Sequence, residues 1–488
     1  MQNLEEYFEQ YRKNIVGINK TFQSPYGEKK IIYADWIASG RLYAPIEKKI
    51  VDTFGPYVGN THSESSVTGS TMTAAYREAH EIIKNHVNAS KDDVIITAGS
   101  GMTAMINKFQ RILGLKVPEQ LKAYLNLPGE LTPVVFVTHM EHHSNHTSWL
   151  ETIADVICIQ PDSRGLIDLN DFEIQLEKYK DRKLKIGAFT ACSNVTGIET
   201  PYYKMAKMVH KHGGFCFIDF ACSAPYVNIN MHPDDPLEKL DAIFFSPHKF
   251  LGGPGTPGVV IFDSHLYKNR VPDNPGGGTV DWTNPWGQHK FVSNIELRED
   301  GGTPPFLQTI KAALCIKLKE EMGVENMKER EKYLVKAAID GLREIPGLHI
   351  LANNIEERLG AISFYIDKIH YNLIVKILND RFGIQMRGGC SCAGTYGHYL
   401  LHVSPDQSKH ITEKINEGDL SEKPGWVRMS IHPTTTNEEL NFIIEAIRET
   451  VKNISSWEKD YLYSSHENEF FHISANGTEA KLIKSWLD

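Results

Sequence analysis

Apolar residues first recur near a helical period at the start of the chain, where Leu4, Tyr7, Phe8, Tyr11 and Ile15 predict a helix over residues 1–20. Helical spacing returns at 46–55 and 72–88. The pattern then changes. Seven short apolar runs, DVIITAG, TPVVFVTH, VICIQ, IGAFTACS, GGFCFID, DAIFFS and GVVIF, alternate with helical stretches. Such alternation implies βαβ units and an α/β fold with a mainly parallel, doubly wound seven-stranded sheet. Helices are expected on both of its faces.

Residues 271–305 lose this pattern and fill with Gly, Pro, Asn and Trp, which predicts a long functional or interfacial loop. A helical stretch follows from about Phe306 to Glu344. Beyond it, the strands LHILAN, AISFYI and WVRMSIH and the helices HYNLIVKILNDRF and NEELNFIIEAIRETVKN predict a small α+β domain. The expected division is a large domain over 21–305 and a small one built from 1–20 and 306–488. Residues 403–424 are polar and without period, as expected of a mobile insert.

Composition narrows the function classes. The 488 residues carry 52 basic and 61 acidic side chains, a net charge of −9, so no overall basic surface invites nucleic acid. The acidic start does not resemble a signal peptide, and no run approaches the roughly 18 apolar residues of a membrane span. Seven cysteines, an odd number, suggest free thiols in a reducing compartment, and the cytoplasm is the expected location.

The most informative string is FFSPHKFLGGPGTPG, residues 244–258. Lys249 stands between an apolar strand and a glycine-rich loop, flanked by Ser246 and His248, which can hold an anion. A lysine so placed suits a Schiff base, although a surface lysine in a turn would read the same in isolation. Ala98-Gly99-Ser100-Gly101-Met102-Thr103 joins a strand to a helix start, as a phosphate cradle does, or a plain tight turn. Asp219 closes the strand GGFCFID, where ligands of open sheets bind; it could face a pyridine nitrogen or simply begin a loop. His142 and His143 follow a strand in THMEHHSNHTSW. An imidazole there could stack on an aromatic cofactor, join His146 at a metal, or be an ordinary loop residue. Asn194, in ACSNVTG, could donate to a ring hydroxyl or form a turn.

In this order the five segments resemble the class V aminotransferase group of fold-type I pyridoxal-phosphate enzymes, most closely the cysteine desulfurases and selenocysteine lyases. The similarity runs from YADWIASG to VRMSIHP. It implies that EHHxN places a stacking histidine at His142, that SNVxG places a ring contact at Asn194, and that Asp219 faces the ring nitrogen. It implies that S-x-H-K makes Ser246, His248 and Lys249 cofactor residues, with Lys249 forming the Schiff base. Met102 and Thr103 would serve the phosphate. GGTP would carry Thr303 to the phosphate of a neighbouring subunit, so a homodimer is implied. Cys222 departs from the family, which usually has glutamine there to bond the cofactor ring; a thiol is a poor donor.

The second informative string is MRGGCSCAG, residues 386–394. Arg387 offers a planar fork suited to an α-carboxylate. The family's R-x-G-x-x-C pattern puts the sulfur-accepting cysteine at Cys392 and leaves Cys390 as an extra. The C-x-C spacing is similar to the desulfurase-like domain of molybdenum-cofactor sulfurases. A structural pair, or half a zinc site with His398 and His402, are the alternatives. The resemblance therefore implies a pyridoxal 5'-phosphate enzyme that takes sulfur from L-cysteine through a persulfide, releases L-alanine and passes sulfur to a protein acceptor. Other class V activities on an amino acid, namely aminotransferase, epimerase, selenocysteine lyase or C–S lyase, share Lys249 and Arg387.

Overall fold

The structure, a computed structural model, describes residues 3–61, 63–474 and 478–488. Two compact units emerge: one of residues 14–16 and 37–329, the other of residues 1–13, 17–36 and 330–488.

The larger unit is built on seven strands: β1 (Asp93–Ala98), β2 (Val134–Thr138), β3 (Asp155–Ile159), β4 (Lys185–Thr190), β5 (Phe215–Asp219), β6 (Ala242–Phe245) and β7 (Gly258–Asp263). They lie in the order β1-β7-β6-β5-β4-β2-β3. Strands β6, β5, β4, β2 and β3 pair in parallel, whereas β7 runs antiparallel to both β1 and β6. The mainly parallel α/β sheet is thus present, with one reversed strand. Every residue of β2 and β4 is buried, as expected of strands covered on both faces. Thr190 opposes Asp219, Asp219 opposes Phe244, Phe245 opposes Val259 and Ala98 opposes Gly258. The carboxyl ends of β1, β4, β5 and β6 therefore finish along one edge, where open α/β sheets bind ligands.

Helices α1 (Val67–His86), α2 (Met102–Ile112) and α3 (His143–Leu150) belong to this unit. On α2, Phe109 meets Phe217, Phe244 and Phe262 at ring-centroid distances of 5.2, 5.6 and 4.8 Å, which fixes the helix start over the sheet edge. Helix α4 (Phe306–Met322) packs along α1.

The smaller unit carries a four-stranded antiparallel sheet, β8 (Leu348–Ile350), β9 (Ala361–Ile366), β10 (Arg387–Gly389) and β11 (Trp426–Ser430), in the order β8-β9-β11-β10. Its core joins Ile362, Phe364, Val427 and Met429 to Leu334, Ala338 and Leu342 of helix α5 (Val324–Arg343). Ile32–Tyr33 pairs in parallel with Ile384–Gln385.

Several expectations change. The units divide at 36/37 and 329/330 rather than at 20/21 and 305/306, because Ile32–Tyr33 joins a strand of the smaller unit and α4 packs on α1. The first helix is Leu4–Arg12, with Gly17 at φ 80° beyond its end; residues 1 and 2 of its expected span lie outside the described residues, as do 475–477 of the expected small domain. Gly323, at φ 75°, separates α4 from α5 where one long helix was expected. Residues 271–305 hold a hairpin, Val280–Thr283 with His289–Phe291, and a short helix, Ile295–Glu299. After helix α6 (Gly394–Leu400), the 403–424 segment holds helix α7 (Pro405–Asn416), which starts in a capping box of Ser404 and Gln407. No α7 residue is buried, so little in its sequence beyond Ile411 and Ile415 is required to be apolar.

Candidate active site

In the larger unit the site grows from the sheet edge. Beyond β1 the chain turns through Gly99, Ser100 and Gly101 into α2, whose N-cap, Gly101, offers no side chain to the first-turn N–H groups. A Cβ at Gly101 would stand 2.9 Å from Cε1 of His248 and 3.3 Å from Oγ of Ser246, so only glycine lets the lysine loop approach this closely. The Met102 N–H donates to Ser246 Oγ at 2.9 Å. Burial, with the charge of Lys249 next to it, lowers the pKa of His248, against a hydrogen bond with the Ser100 backbone. A backbone N–H, the Ser246 hydroxyl and the His248 imidazole thus meet at a helix start, which suits a phosphate-sized anion.

Thr103 is exposed, and its Oγ1 lies 2.6 Å from Oγ of Ser144. Ser144 in turn meets Nδ1 of His142 at 3.1 Å through its hydroxyl, and its N–H donates to the same nitrogen. His142 is half-buried and caps α3. The expected stacking histidine and the expected phosphate threonine are therefore tied by one serine.

Asp219 is wholly buried at the end of β5. Burial raises its carboxyl to about 6, while the Ala221 N–H, donating at 2.8 Å, and the charge of Lys249 pull it down. Lys249 itself is half-buried in a short turn, Pro247–Lys249, after β6. Asn194 is buried beyond β4. Cys222 is buried with its thiol 3.8 Å from the Ser193 carbonyl and 4.0 Å from Sγ of Cys192, so it faces backbone and sulfur beside Asn194. Thr303 is exposed and makes no hydrogen bond among the described residues. No group of three or more His, Cys, Asp or Glu side chains suited to a metal gathers among the described residues.

Glu141, overlooked beside the histidines of EHHxN, organises this edge. Its Oε1 accepts from Oγ1 of Thr138 at 2.7 Å and from the Thr190 N–H at 2.9 Å; its Oε2 accepts from Nδ2 of Asn145 at 2.8 Å. It thus joins the ends of β2 and β4 to α3. Burial raises its carboxyl to about 8, and Asp219 adds to that rise.

In the smaller unit, Arg387 begins β10 with its Nε 3.1 Å from Oδ2 of Asp35, whose Oδ1 lies 2.7 Å from Nη2 of Arg428. Asp35 aims the fork while half of the Arg387 side chain stays exposed. Cys390 is half-buried and Cys392 exposed. Ser391 and Cys392 sit at φ 49° and 57°, in the left-handed region. By contrast, the half-buried thiol of Cys158 and the buried thiol of Cys315 are pushed up to about 12 by desolvation, and buried Cys216 is also raised, as inert cysteines are.

A reversed-β7 parallel sheet with a lysine, a buried aspartate and an anion cradle on its carboxyl edge defines a fold-type I enzyme of the pyridoxal-phosphate class. The aminotransferase class-V family model matches residues 32–443, and the chain belongs to that family. It is 28% identical over 368 residues to a protein of Halalkalibacterium halodurans described as a probable cysteine desulfurase, covering 74% of this chain and 84% of that one. It is 27% identical over 370 residues to a cysteine desulfurase of Haloferax volcanii, covering 74% and 80%. Among solved structures, apo cysteine desulfurase from Thermococcus onnurineus NA1 superposes with a TM-score of 0.73 at 23% identity, over 91% of this chain and 98% of that one.

Proposed function

We propose that the chain is a cysteine desulfurase working with pyridoxal 5'-phosphate, taking sulfur from L-cysteine onto Cys392 and releasing L-alanine. The observation that carries this reading is an exposed cysteine in a left-handed turn five residues after Arg387. No other cysteine of the chain is exposed. The relatives described as cysteine desulfurases support the same reading.

The residues fit the cofactor. The Gly101 cradle, which a Cβ would fill, suits its phosphate, with Met102, Thr103, Ser246 and His248 around it. Asp219 is a buried carboxylate suited to a protonated ring nitrogen, and His142 and Asn194 would contact the ring. Thr303 would reach the phosphate of a second subunit in a homodimer. Cys222 supports the ring less than a glutamine would. When bound, pyridoxal phosphate supplies an aldehyde for an amino group and a ring that draws electrons from the substrate's Cα.

The chain's own residues do the rest. Arg387 holds the substrate carboxylate in its Nη1–Nη2 fork while Asp35 holds its Nε. Lys249 Nζ removes the α-proton, with His142 as the second proton carrier. The Cys392 thiolate attacks the substrate sulfur. An S–S bond forms, the C–S bond breaks, and a proton takes sulfur's place on Cβ, so cysteine and thiol become alanine and persulfide. A protein thiol is the proposed final acceptor, and the cytoplasm the proposed location. Among the described residues no helix is long and apolar enough to cross a membrane.

Purified protein tests this directly. Lys249→Ala should lose borohydride-fixable cofactor and all turnover. Cys392→Ala should keep cofactor absorbance yet release no sulfide from cysteine; full sulfide release would refute the persulfide role, and pyruvate and ammonia appearing with the sulfide in place of alanine would point to a C–S lyase.

A further inference from the structure

We propose that Asn468, in a hairpin beyond the family match, is a positioning residue that holds the cysteine arm through Tyr371 and Asn372. The inference rests on the reading of Cys392 as sulfur acceptor.

The match ends at residue 443, but the chain continues through helix α8 (Asn437–Trp457) into a hairpin, Tyr461–Ser464 with Glu469–His472. Asn468 lies in its turn, buried, at φ 57°. Its side-chain amide and its carbonyl are all engaged. Its Nδ2 donates to the Tyr371 hydroxyl at 2.8 Å, its Oδ1 accepts from the Tyr463 hydroxyl at 2.9 Å, and its carbonyl accepts from Nδ2 of Asn372 at 2.6 Å. The turn also clasps the segment after α7: the Leu420 N–H donates to the Ser465 carbonyl at 2.9 Å, and the Tyr371 hydroxyl donates to the Lys423 carbonyl at 3.1 Å. Rings of Tyr463 and Phe470, 4.7 Å apart, pack the hairpin onto His370.

Tyr371 and Asn372 are the surface on which the arm rests. A Cβ at Gly388 would fall 2.1 Å from Oδ1 of Asn372 and 3.2 Å from the Tyr371 ring, so β10 lies directly on both. Gly425, just before β11, approaches the same ring, where a Cβ would lie 2.5 Å away. Gly389 and Trp426 are register partners, so the Tyr371 ring supports both strands at the point where the arm leaves the sheet. Burial raises the phenol of Tyr371, against the hydrogen bond with Asn468, which lowers it. Gly389 at φ 107°, Ser391 at 49° and Cys392 at 57° then form the turn. Non-glycine residues persist in such a conformation only where their surroundings over-determine it, at a cost on the order of 1–3 kcal/mol each. The contacts of Asn468 provide that constraint from a segment 76 positions later in the chain.

Asn468→Gly keeps the left-handed backbone and removes the side chain; Tyr371→Phe removes only the hydroxyl. Both are compared with the parent as cofactor-loaded full chains. Three quantities are read: kcat and KM for sulfide release from L-cysteine, the rate of Cys392 alkylation by iodoacetamide against pH, and cofactor content. The expected result is a kcat lowered about tenfold with KM little changed, since small misplacement of a reacting group costs rate. The Cys392 alkylation profile should change, with full cofactor content. The double variant should be no worse than the weaker single, because both break one link. An unchanged kcat and alkylation profile would overturn the proposal, as would a kcat that falls only in step with cofactor loss. If Asn468→Gly does not fold, Tyr371→Phe decides by the same criteria. A parent enzyme that forms no persulfide on Cys392 would instead sink the underlying reading.

Discussion

Replacing Asp219 by asparagine should strengthen the cofactor-free protein and weaken the working enzyme. The carboxyl is wholly buried and raised from 3.8 to about 6 by that burial. A raised carboxyl means that the folded chain binds more protons than the unfolded chain between these two values. Stability therefore falls as pH rises from about 4 to about 6 and stays lowered above that. At 1.36 kcal/mol per unit the full cost is about 3 kcal/mol at pH 8, and about half of that at pH 5. Asparagine carries no charge to bury and can still accept from the Ala221 N–H. Cofactor-stripped Asp219→Asn should therefore gain up to about 3 kcal/mol at pH 8 and about half as much at pH 5, read from urea midpoints at unchanged slope. With cofactor the sign reverses, because the carboxylate then faces a ring cation; turnover and cofactor retention should both fall. A stripped variant less stable than the parent at pH 8, or a gain independent of pH, would refute the assignment of Asp219 as a buried carboxyl that ionises at a net cost.

Glu141→Gln keeps one accepting oxygen but turns an amide nitrogen toward a donor such as Asn145 Nδ2, so it should cost about 1–2 kcal/mol at pH 7 even though the acid is raised to about 8 and already largely neutral. Glu141→Ala should cost about 3 kcal/mol or more, because it leaves buried donors of Thr190 and Asn145 unpaired; chemical denaturation of the two variants separates these outcomes. Lys319 of α4 is lowered to about 7 by burial while its amine donates to the carbonyls of Ala224 and Val227 at 2.7 and 2.5 Å. A lowered amine favours folding less as pH falls toward that value, so the parent should gain about 2 kcal/mol between pH 7 and pH 9. Lys319→Met should abolish that gain, as a pH series of urea midpoints would show.

What the chain disclosed in advance follows from where its side chains point. Runs such as VVFVT and KIGAFT are legible because both faces of β2 and β4 are buried. The reversal of β7 is not, since GVVIF has the same apolar run whichever way it lies. Helix α7 escaped because none of its residues is buried and so few are constrained to be apolar. Site residues on strand ends, Asp219 and Lys249 among them, stood out by chemistry in a fixed place. Asp35 and Asn468 did not, because their roles are hydrogen bonds to residues remote in sequence: Arg428 lies 393 positions from Asp35, and Tyr371 lies 97 from Asn468. Glu141 did not because its burial, and its bond to the Thr190 N–H 49 positions away, exist only in the fold.

The two buried carboxyls of the larger unit acquire different tasks from their surroundings. Both are raised by burial, but Asp219 has the Lys249 charge to favour ionisation, whereas Glu141 has Asp219 itself to oppose it. Near pH 7 the first is therefore mainly ionised and the second mainly protonated. Divergent values in neighbouring acids are the usual mark of divided labour. A single negative charge at the end of β5 matches a single ring cation, and a neutral Glu141 can join β2, β4 and α3 without competing for it. Were Glu141 also ionised, its charge would raise Asp219 further and weaken the feature that suits this edge to a protonated ring. The serine-linked His142 and Thr103 lie on helices that start from the same edge, so the neutrality of Glu141 is a condition for the site's charge pattern as well as a matter of strand packing.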